Sequence, residues 1–230
     1  MMTADYTTRL HAVLGRIRAA EQRFQRPPGS VRLLAVGKTQ PAAAIAALAA
    51  AGQRDFGENY FQEALDKMTE LATLELEWHF IGPMQANKTR GIAEHFAWVH
   101  SVDRGKIARR LSDYRPAGMP PLQICLQVNI SGETSKSGVS LEELPRLALE
   151  VMQLPRLQLR GLMAIPAPAD GFSEQREPFA RLREALAGLQ SLGPGLDTLS
   201  MGMSDDLEAA IAEGSTIVRV GTGIFGPRKR

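Results

Sequence analysis

Lys38 is the residue of this 230-residue sequence that is best placed to do covalent chemistry. It follows Gly37 and an apolar, β-branched run at 31–36 that is typical of a buried strand. An amine in partly desolvated surroundings loses basicity and becomes a nucleophile toward aldehydes, with which it forms a Schiff base. The alternative for this position is an ordinary solvated lysine in a loop.

Two turns rich in glycine and serine are suited to hold an anion. The turn at 200–204 runs into a helical pattern whose first N–H groups attract negative charge, although Ser204 is also a plain N-cap candidate. The turn at 221–226 matches the G-x-G-x-x-G spacing of dinucleotide sites. Such a site needs an acidic residue about 20 positions further on, and only residues 227–230 follow. We therefore interpret 221–223 as a cradle of backbone amides for a phosphate.

Eight apolar runs alternate with helical patterns and must position these residues. The runs lie at 31–36, 54–56, 78–81, 98–102, 122–129, 157–163, 196–200 and 216–220. The helical patterns include 41–51, 60–71, 141–152, 173–191 and 205–213, and Asp103 is expected to cap the helix after the fourth run. This alternation predicts an α/β protein with a single (β/α)8 barrel over residues 1–230, and an open doubly wound sheet is the alternative.

The first 27 residues predict one further helix. Apolar residues recur at three- and four-residue steps, namely Tyr6, Leu10, Val13, Leu14, Ile17 and Phe24. That spacing gives an amphipathic helix with one buried face, which we expect to cover the floor of the barrel.

Barrel closure predicts a common site for the amine and the two turns. Active sites of such barrels lie at the carboxyl ends of the strands, and strand eight closes onto strand one. Lys38 and the turns at 200–204 and 221–223 would then face one opening. A molecule that carries both an aldehyde and a phosphate suits them, and pyridoxal 5′-phosphate is such a molecule. A sugar-phosphate site, in which Lys38 is only a point charge, is the alternative.

Composition excludes several other classes of protein. The 27 Lys and Arg residues nearly balance 25 Asp and Glu residues, and a net charge of +2 argues against a nucleic-acid binder. The single cysteine, Cys125, leaves no disulfide framework and no multi-cysteine metal site, and it is typical of a core residue. No signal peptide and no apolar run of about 20 residues is found, so we expect a cytoplasmic protein without membrane contact or metal.

Several segments, in order along nearly the whole chain, resemble the YggS/PROSC family of pyridoxal phosphate homeostasis proteins. They are 35–39 (AVGKT), 56–60 (FGENY), 79–82 (HFIG) with Gln85, Asn87 and Lys88, 127–129 (QVN), 161–163 (GLM), 200–205 (SMGMSD) and 219–222 (RVGT). Family members often have Ser in place of Gly37 and Lys in place of Gln40, and neither difference touches the aldehyde chemistry.

The resemblance implies a barrel like the N-terminal domain of alanine racemase, and it assigns roles to six residues. Lys38 would hold the cofactor as a Schiff base, and Asn59 would lie beside the cofactor ring. Arg219 would face the pyridine nitrogen, and the phosphate would be held by Ser200, Gly221 and Thr222.

The resemblance also implies a cofactor carrier without catalysis of its own. Racemisation needs a second acid or base opposite the lysine, and only His79 and Tyr60 suggest themselves. A fold-type III amino-acid racemase or lyase is therefore the alternative. Apo forms of cofactor-dependent enzymes would be the recipients, with Lys136 as a candidate for the transfer step. We expect a monomer with a mobile tail at 227–230.

Overall fold

Short strands alternate with helices along the chain, as the apolar runs predict. In the computed structural model, which describes residues 2–133, 137–193 and 195–226, the strands are β1 Arg32–Val36, β2 Asp55–Glu58, β3 Glu77–Phe80, β4 Trp98–Val102, β5 Leu122–Gln127, β6 Leu157–Met163, β7 Thr198–Ser200 and β8 Ile217–Val220. The helices are α1 Met2–Arg23, α2 Ala42–Ala50, α3 Phe61–Glu70, α4 Thr89–His95, α5 Gly105–Tyr114, α6 Leu144–Met152, α7 Phe172–Leu189, α8 Leu207–Ala212 and α9 Thr222–Phe225. Single 3-10 turns lie at Ala86–Lys88 and Gln190–Leu192.

The strands form a closed barrel. Each strand pairs in parallel with the next one, and β8 pairs with β1, where Leu34 lies beside Arg219 and Ala35 beside Val220. The predicted (β/α)8 barrel is confirmed, and the open-sheet alternative is wrong. Closure brings Lys38, just after β1, next to the residues that follow β8.

The apolar core lies mainly between the strands and the surrounding helices. Its largest fully buried side chains come from both layers and include Leu34, Ile45, Leu48, Phe56, Ile107, Ile124 and Phe179. Cys125 is fully buried in β5 beside Trp98 and Met163, as a core cysteine is expected to be.

The N-terminal helix lies along the side of the barrel and not over its floor, where we expected it. Three residues of its apolar stripe, Leu10, Val13 and Ile17, are buried, and the helix packs against α2, α8 and α9. Its last turns reach the start of β1, where Glu21 Oε1 accepts the N–H of Val31 at 2.9 Å. The helix therefore spans the barrel wall from the mouth to the floor.

Three boundaries differ from the sequence-based expectation for local reasons. The helix after β4 begins at Gly105 with Arg104 as its N-cap, and Asp103 instead pairs with the Arg104 guanidinium at 2.7 Å. β5 ends at Gln127, because Val128 forms an isolated bridge with Val139. The glycine turn after β8 opens a short helix, α9, which we did not predict.

Two expectations fall outside the described residues, namely the role of Lys136 and the mobile tail at 227–230. None of the helices in the described part of the chain has the length and apolarity needed to span a bilayer.

Candidate functional site

A cavity of about 470 Å³ opens at the carboxyl ends of the strands. Its walls come from the segments after β1, β2, β3, β6, β7 and β8 and from α1. The residues that line it include Arg16, Lys38, Asn59, Met203, Ser204, Arg219, Gly221, Thr222 and Gly223. Five of the six predicted site residues therefore meet in this cavity, and Ser200 is the exception.

Lys38 lies in a tight turn directly after β1. The amide of Gln40 donates to the carbonyl of Gly37 at 2.9 Å, which closes the turn around Lys38 and Thr39. Thr39 has a φ of +64°, a left-handed conformation that is costly for a β-branched residue. Such a conformation persists only where the surroundings hold it in place.

Charged groups of α3 hold the backbone on both sides of Lys38. The Lys67 ammonium donates to the carbonyl of Gly37 at 2.8 Å, and Glu63 Oε1 accepts the amide of Thr39 at 2.6 Å. Lys67 also contacts Glu63 Oε1 at 2.6 Å, so the two bonds share one ion pair. This ion pair fixes the turn from which the Lys38 amine extends into the cavity.

Glu58 completes this cluster in an unusual electrostatic environment. Its carboxylate is fully buried and accepts a bond from Lys67 Nζ at 2.7 Å. Burial raises the pKa of Glu58 to about 7, although the Lys67 ammonium opposes the shift. Its second oxygen has no hydrogen-bond partner among the described residues. The protonation state of the Glu58 carboxyl therefore changes near neutral pH.

Asn59 offers the cavity a buried acceptor. Its Oδ1 atom is inaccessible to solvent and has no hydrogen-bond partner in the described part of the chain. An unsatisfied buried acceptor costs about 1–3 kcal/mol, so a rotation of the side chain that let Oδ1 accept from a bound molecule would be favoured. The backbone of Asn59 is fixed by Gly82, where an added Cβ would lie 2.1 Å from the Asn59 carbonyl oxygen.

Arg219 brings a buried cation to the inner end of the cavity. Its Nη1 donates to the Ser200 carbonyl at 2.5 Å and to Ser200 Oγ at 2.8 Å, and its Nη2 donates to the Ala164 carbonyl at 2.9 Å. All three acceptors are uncharged oxygens. Burial lowers the pKa of Arg219 to about 10, which leaves the guanidinium charged at neutral pH.

The turn after β7 contributes Ser204 and not Ser200 to the cavity wall. Ser200 is the last residue of β7, its side chain is fully buried, and its hydroxyl bonds Arg219 inside the barrel. Ser204 Oγ accepts the amide of Gly223 at 3.3 Å and so joins the two predicted anion-holding turns. It does not cap α8, since the N-cap is Asp206. The assignment of Ser200 to a phosphate stays a prediction, and Ser204 is better exposed for that role.

Arg16 reaches this wall from α1, although no motif in the sequence singles it out. Its guanidinium donates to both oxygens of Glu208 at 2.8 Å and to the carbonyl of Ser204 at 3.0 Å. It therefore ties α1 to the turn after β7. No local signal predicts this, because the partners are 188 or more positions apart.

The two side chains considered as a second acid or base do not line the cavity. His79 is buried inside the barrel, where its ring bonds His100 and Asp55. Tyr60 is 55% exposed and lies just before α3 as its N-cap residue. Asp55, Glu77 and His79 also bring potential metal-ligand atoms within 4.8 Å of one another at the other end of the barrel, but Arg32 already contacts both carboxylates.

Comparison with known proteins identifies close relatives. The family model of the alanine racemase N-terminal domain matches residues 9–229. The pyridoxal phosphate homeostasis protein of Pseudomonas aeruginosa is 66% identical over 216 residues, which cover 94% of this chain and 93% of that protein. The Escherichia coli K12 protein of the same name is 56% identical over 227 residues, which cover 97% of each.

Solved structures with the same fold cover most of this chain. PipY of Synechococcus elongatus, solved with PLP bound, is 44% identical with a TM-score of 0.80, covering 91% of this chain and 98% of PipY. Alanine racemase of Corynebacterium glutamicum shares only 19% identity at a TM-score of 0.73, covering 95% of this chain and 62% of the racemase. That second likeness concerns the fold alone.

Proposed function

The chain belongs to the family of pyridoxal phosphate homeostasis proteins, and from that premise we propose that it binds pyridoxal 5′-phosphate as a Schiff base on Lys38. We further propose that it holds and supplies this cofactor inside the cell without catalysis of its own. The whole barrel would act as one cofactor-binding domain. The match of one family model to residues 9–229 supports a single domain.

One observation carries the proposal: a single cavity is lined by an amine, a buried cation and two anion-holding turns. Lys38 comes from the turn after β1 and Arg219 from β8. Ser204 and Gly221 come from the turns after β7 and β8. An aldehyde, an aromatic ring and a phosphate are the three parts of pyridoxal 5′-phosphate. The donor set therefore fits this cofactor, and PipY, a relative solved with PLP bound, supports the same conclusion.

The proposed tether is reversible chemistry on Lys38. When bound, pyridoxal phosphate would supply an aldehyde with which the Lys38 amine would condense reversibly, with loss of one water. The turn held by Lys67 and Glu63 keeps the Lys38 backbone in place for this reaction. Water reverses the bond, which suits a protein that releases its cofactor again.

Arg219 supports a carrier more than a catalyst. When bound, pyridoxal phosphate supplies an electron sink for carbanion chemistry, and it does so best with a protonated ring nitrogen. We propose that Arg219 faces this nitrogen, as the family resemblance implies. A fixed positive charge there disfavours ring protonation and weakens the sink.

The phosphate would be held at the junction of the two turns. Thr222 and Gly221 lie at the start of α9, and Ser204 joins that turn through Gly223. Together these residues offer hydroxyl and amide donors and the positive end of a helical turn. Asn59, with its unpaired Oδ1, would lie beside the ring.

The cellular part of the proposal rests on the relatives. Homologues at 56–66% identity are named as homeostasis proteins and not as enzymes. We propose a cytoplasmic monomer whose recipients are apo forms of cofactor-dependent enzymes. The cavity wall gives no support to the racemase alternative, since His79 and Tyr60 are absent from its described lining.

One experiment tests both binding and the lack of catalysis. The purified chain is loaded with pyridoxal phosphate, desalted, and incubated with L- or D-alanine in deuterated water. We expect about one retained cofactor per chain and Cα exchange no faster than with free cofactor. Rapid exchange would identify an enzyme, and loss of the cofactor on desalting would contradict the binding proposal.

A further inference from the structure

A chain of polar side chains crosses the barrel interior from the floor to Arg219. This interior chain consists of Asp55, His79, His100, Ser200 and Arg219. The distances are 3.2 Å from Asp55 Oδ1 to His79 Nε2, 2.9 Å from His79 Nδ1 to His100 Nε2, and 2.8 Å from His100 Nδ1 to Ser200 Oγ. The last step, from Ser200 Oγ to Arg219 Nη1, is also 2.8 Å.

The middle of the interior chain is sealed from solvent. His79, His100 and Ser200 have relative exposures of 0%, and Arg219 has 4%. In such surroundings each donor needs an acceptor, because an unmade bond is not replaced by water. The positions of the hydrogens therefore follow from counting donors and acceptors along the chain.

The count gives one direction for every bond. The Asp55 carboxylate only accepts and Arg219 only donates, so with two neutral rings between them every hydrogen must point the same way along the chain. Ser200 Oγ then accepts from Arg219 and gives its own hydrogen to His100 Nδ1. His100 must then carry its hydrogen on Nε2, which donates to His79 Nδ1. His79 in turn donates from Nε2 to the carboxylate of Asp55.

The floor end of the interior chain is anchored by acceptors that carry charge. Glu77 Oε1 lies 3.3 Å from the same His79 Nε2 atom. This hydrogen bond and the Arg32 guanidinium lower the pKa of Glu77 to about 2 despite partial burial, so this neighbouring carboxylate remains ionised. Burial lowers the pKa of His100 well below its usual range, and the charges of Arg219 and Arg32 act in the same direction. His79 also stacks on Trp98 at 5.4 Å between ring centroids, which holds its ring plane.

We propose that His100 is a positioning residue for this site: it orders the Ser200 hydroxyl, which in turn holds the Arg219 guanidinium. The cofactor effect of His100 rests on the proposed function. The order of the hydrogens does not, because it is set by the interior chain alone. His79 and Asp55 extend the same order to the floor, since bonds in a low-dielectric chain polarise one another.

The hydrogen order is tested first, on the protein without cofactor. Two-dimensional ¹H–¹⁵N NMR of the imidazole rings distinguishes the tautomers, and His79→Gln and His100→Asn variants assign the signals. We expect neutral rings with hydrogen on Nε2 for both His79 and His100. Hydrogen on Nδ1 of His100, or a doubly protonated ring at either position at neutral pH, would overturn the proposal.

The positioning role is tested with variants of His100 and a matched control. His100→Asn keeps an oxygen near the place of Nδ1, whereas His100→Leu removes the acceptor for Ser200. The control is Thr198→Val, which removes a buried hydroxyl from β7, the strand that also carries Ser200. Among the described contacts, this hydroxyl bonds only the neighbouring Asp197. The readouts are the dissociation constant for pyridoxal phosphate and the pH midpoint of the visible absorbance band.

We expect His100→Leu to weaken binding about tenfold, which corresponds to one hydrogen bond of about 1.4 kcal/mol, and to move the pH midpoint. His100→Asn should stay within about threefold of the unmodified protein, and Thr198→Val should leave both readouts unchanged. A His100→Leu protein that matches the unmodified one in both readouts would refute the proposal. If the unmodified protein binds no cofactor, the proposed function fails, and the tautomer result still decides the hydrogen order.

Discussion

The turn that carries Lys38 shows how single residues prepare the site. A β-branched residue at positive φ, Thr39, follows the lysine directly. The strain is held by bonds from α3, to the carbonyl before Lys38 and to the amide after it. The lysine therefore extends from a fixed backbone and not from a loose loop, which reduces the entropy lost on binding.

The buried Glu58 carboxyl gives this turn a pH-dependent stability. Burial raises its pKa from 4.5 to about 7, so between these values the folded state holds a proton that the unfolded state has released. The contribution of Glu58 to stability is full below pH 4.5 and is lost as pH rises through 7. Glu58→Gln carries no such titration. At each pH the quantity to compare is the free energy of unfolding of Glu58→Gln minus that of the unmodified protein. This difference should rise by on the order of 2 kcal/mol from about pH 5 to about pH 8, because only the unmodified protein loses stability over that range.

Urea denaturation at both pH values measures this difference. Glu70→Gln, at an exposed position of the same helix as Glu63, is the matched control and should show no such change. Equal differences for Glu58→Gln at the two pH values would contradict the account of the buried carboxyl.

At the residue scale, the sequence predicts site residues that come directly after a strand and misses those that distant segments supply. Lys38, Asn59, Gly221 and Thr222 come just after β1, β2 and β8, and strand ends face the mouth of a barrel. The choice between Ser200 and Ser204 depends on where β7 ends, which composition does not fix. Partners such as Arg16, Lys67 and His100 belong to contacts that only the closed fold creates.

At the scale of elements, the alternation predicts the barrel, but local contacts set the ends of its strands and helices. The weak run at 54–56 is a complete strand, Asp55–Glu58, because β1 and β3 pair with it on both sides. The apolar run at 122–129 is longer than its strand, since residue 128 forms only an isolated bridge with residue 139. The amphipathic character of the N-terminal helix is confirmed, but the apolar stripe does not say which surface the helix covers.

The ends of β2 and β3 pack so closely that only glycine fits at position 82. A Cβ there would lie 2.1 Å from the carbonyl oxygen of Asn59, which is backbone and has no rotamer to yield. Gly82→Ala should lower the free energy of unfolding by about 1–3 kcal/mol and weaken cofactor binding, because Asn59 must move.

Urea denaturation and a binding titration check the Gly82→Ala result. Gly118→Ala is the control, since an added Cβ at that exposed glycine meets nothing within 4 Å. A Gly82→Ala protein as stable as Gly118→Ala would show that the strand ends tolerate separation.

At the scale of the whole molecule, closure of the barrel makes the site. Lys38 and Gly221 are distant in sequence, yet an added Cβ at Gly221 would lie 3.4 Å from the carbonyl oxygen of Val36, two residues before Lys38. The same closure lets His79 and His100 from one side of the barrel meet Ser200 and Arg219 from the other. The mouth and the floor are thus connected through the interior and not only through the wall.

The most direct test of the central claim is to find where the cofactor is bonded. The loaded protein is reduced with borohydride, digested and mapped by mass spectrometry, with Lys38→Ala and the exposed Lys106→Ala treated in parallel. We predict one pyridoxyl phosphate group on the peptide that contains Lys38 in the unmodified and Lys106→Ala proteins, and none in Lys38→Ala. A label on another lysine, or equal labelling of Lys38→Ala, would contradict the account.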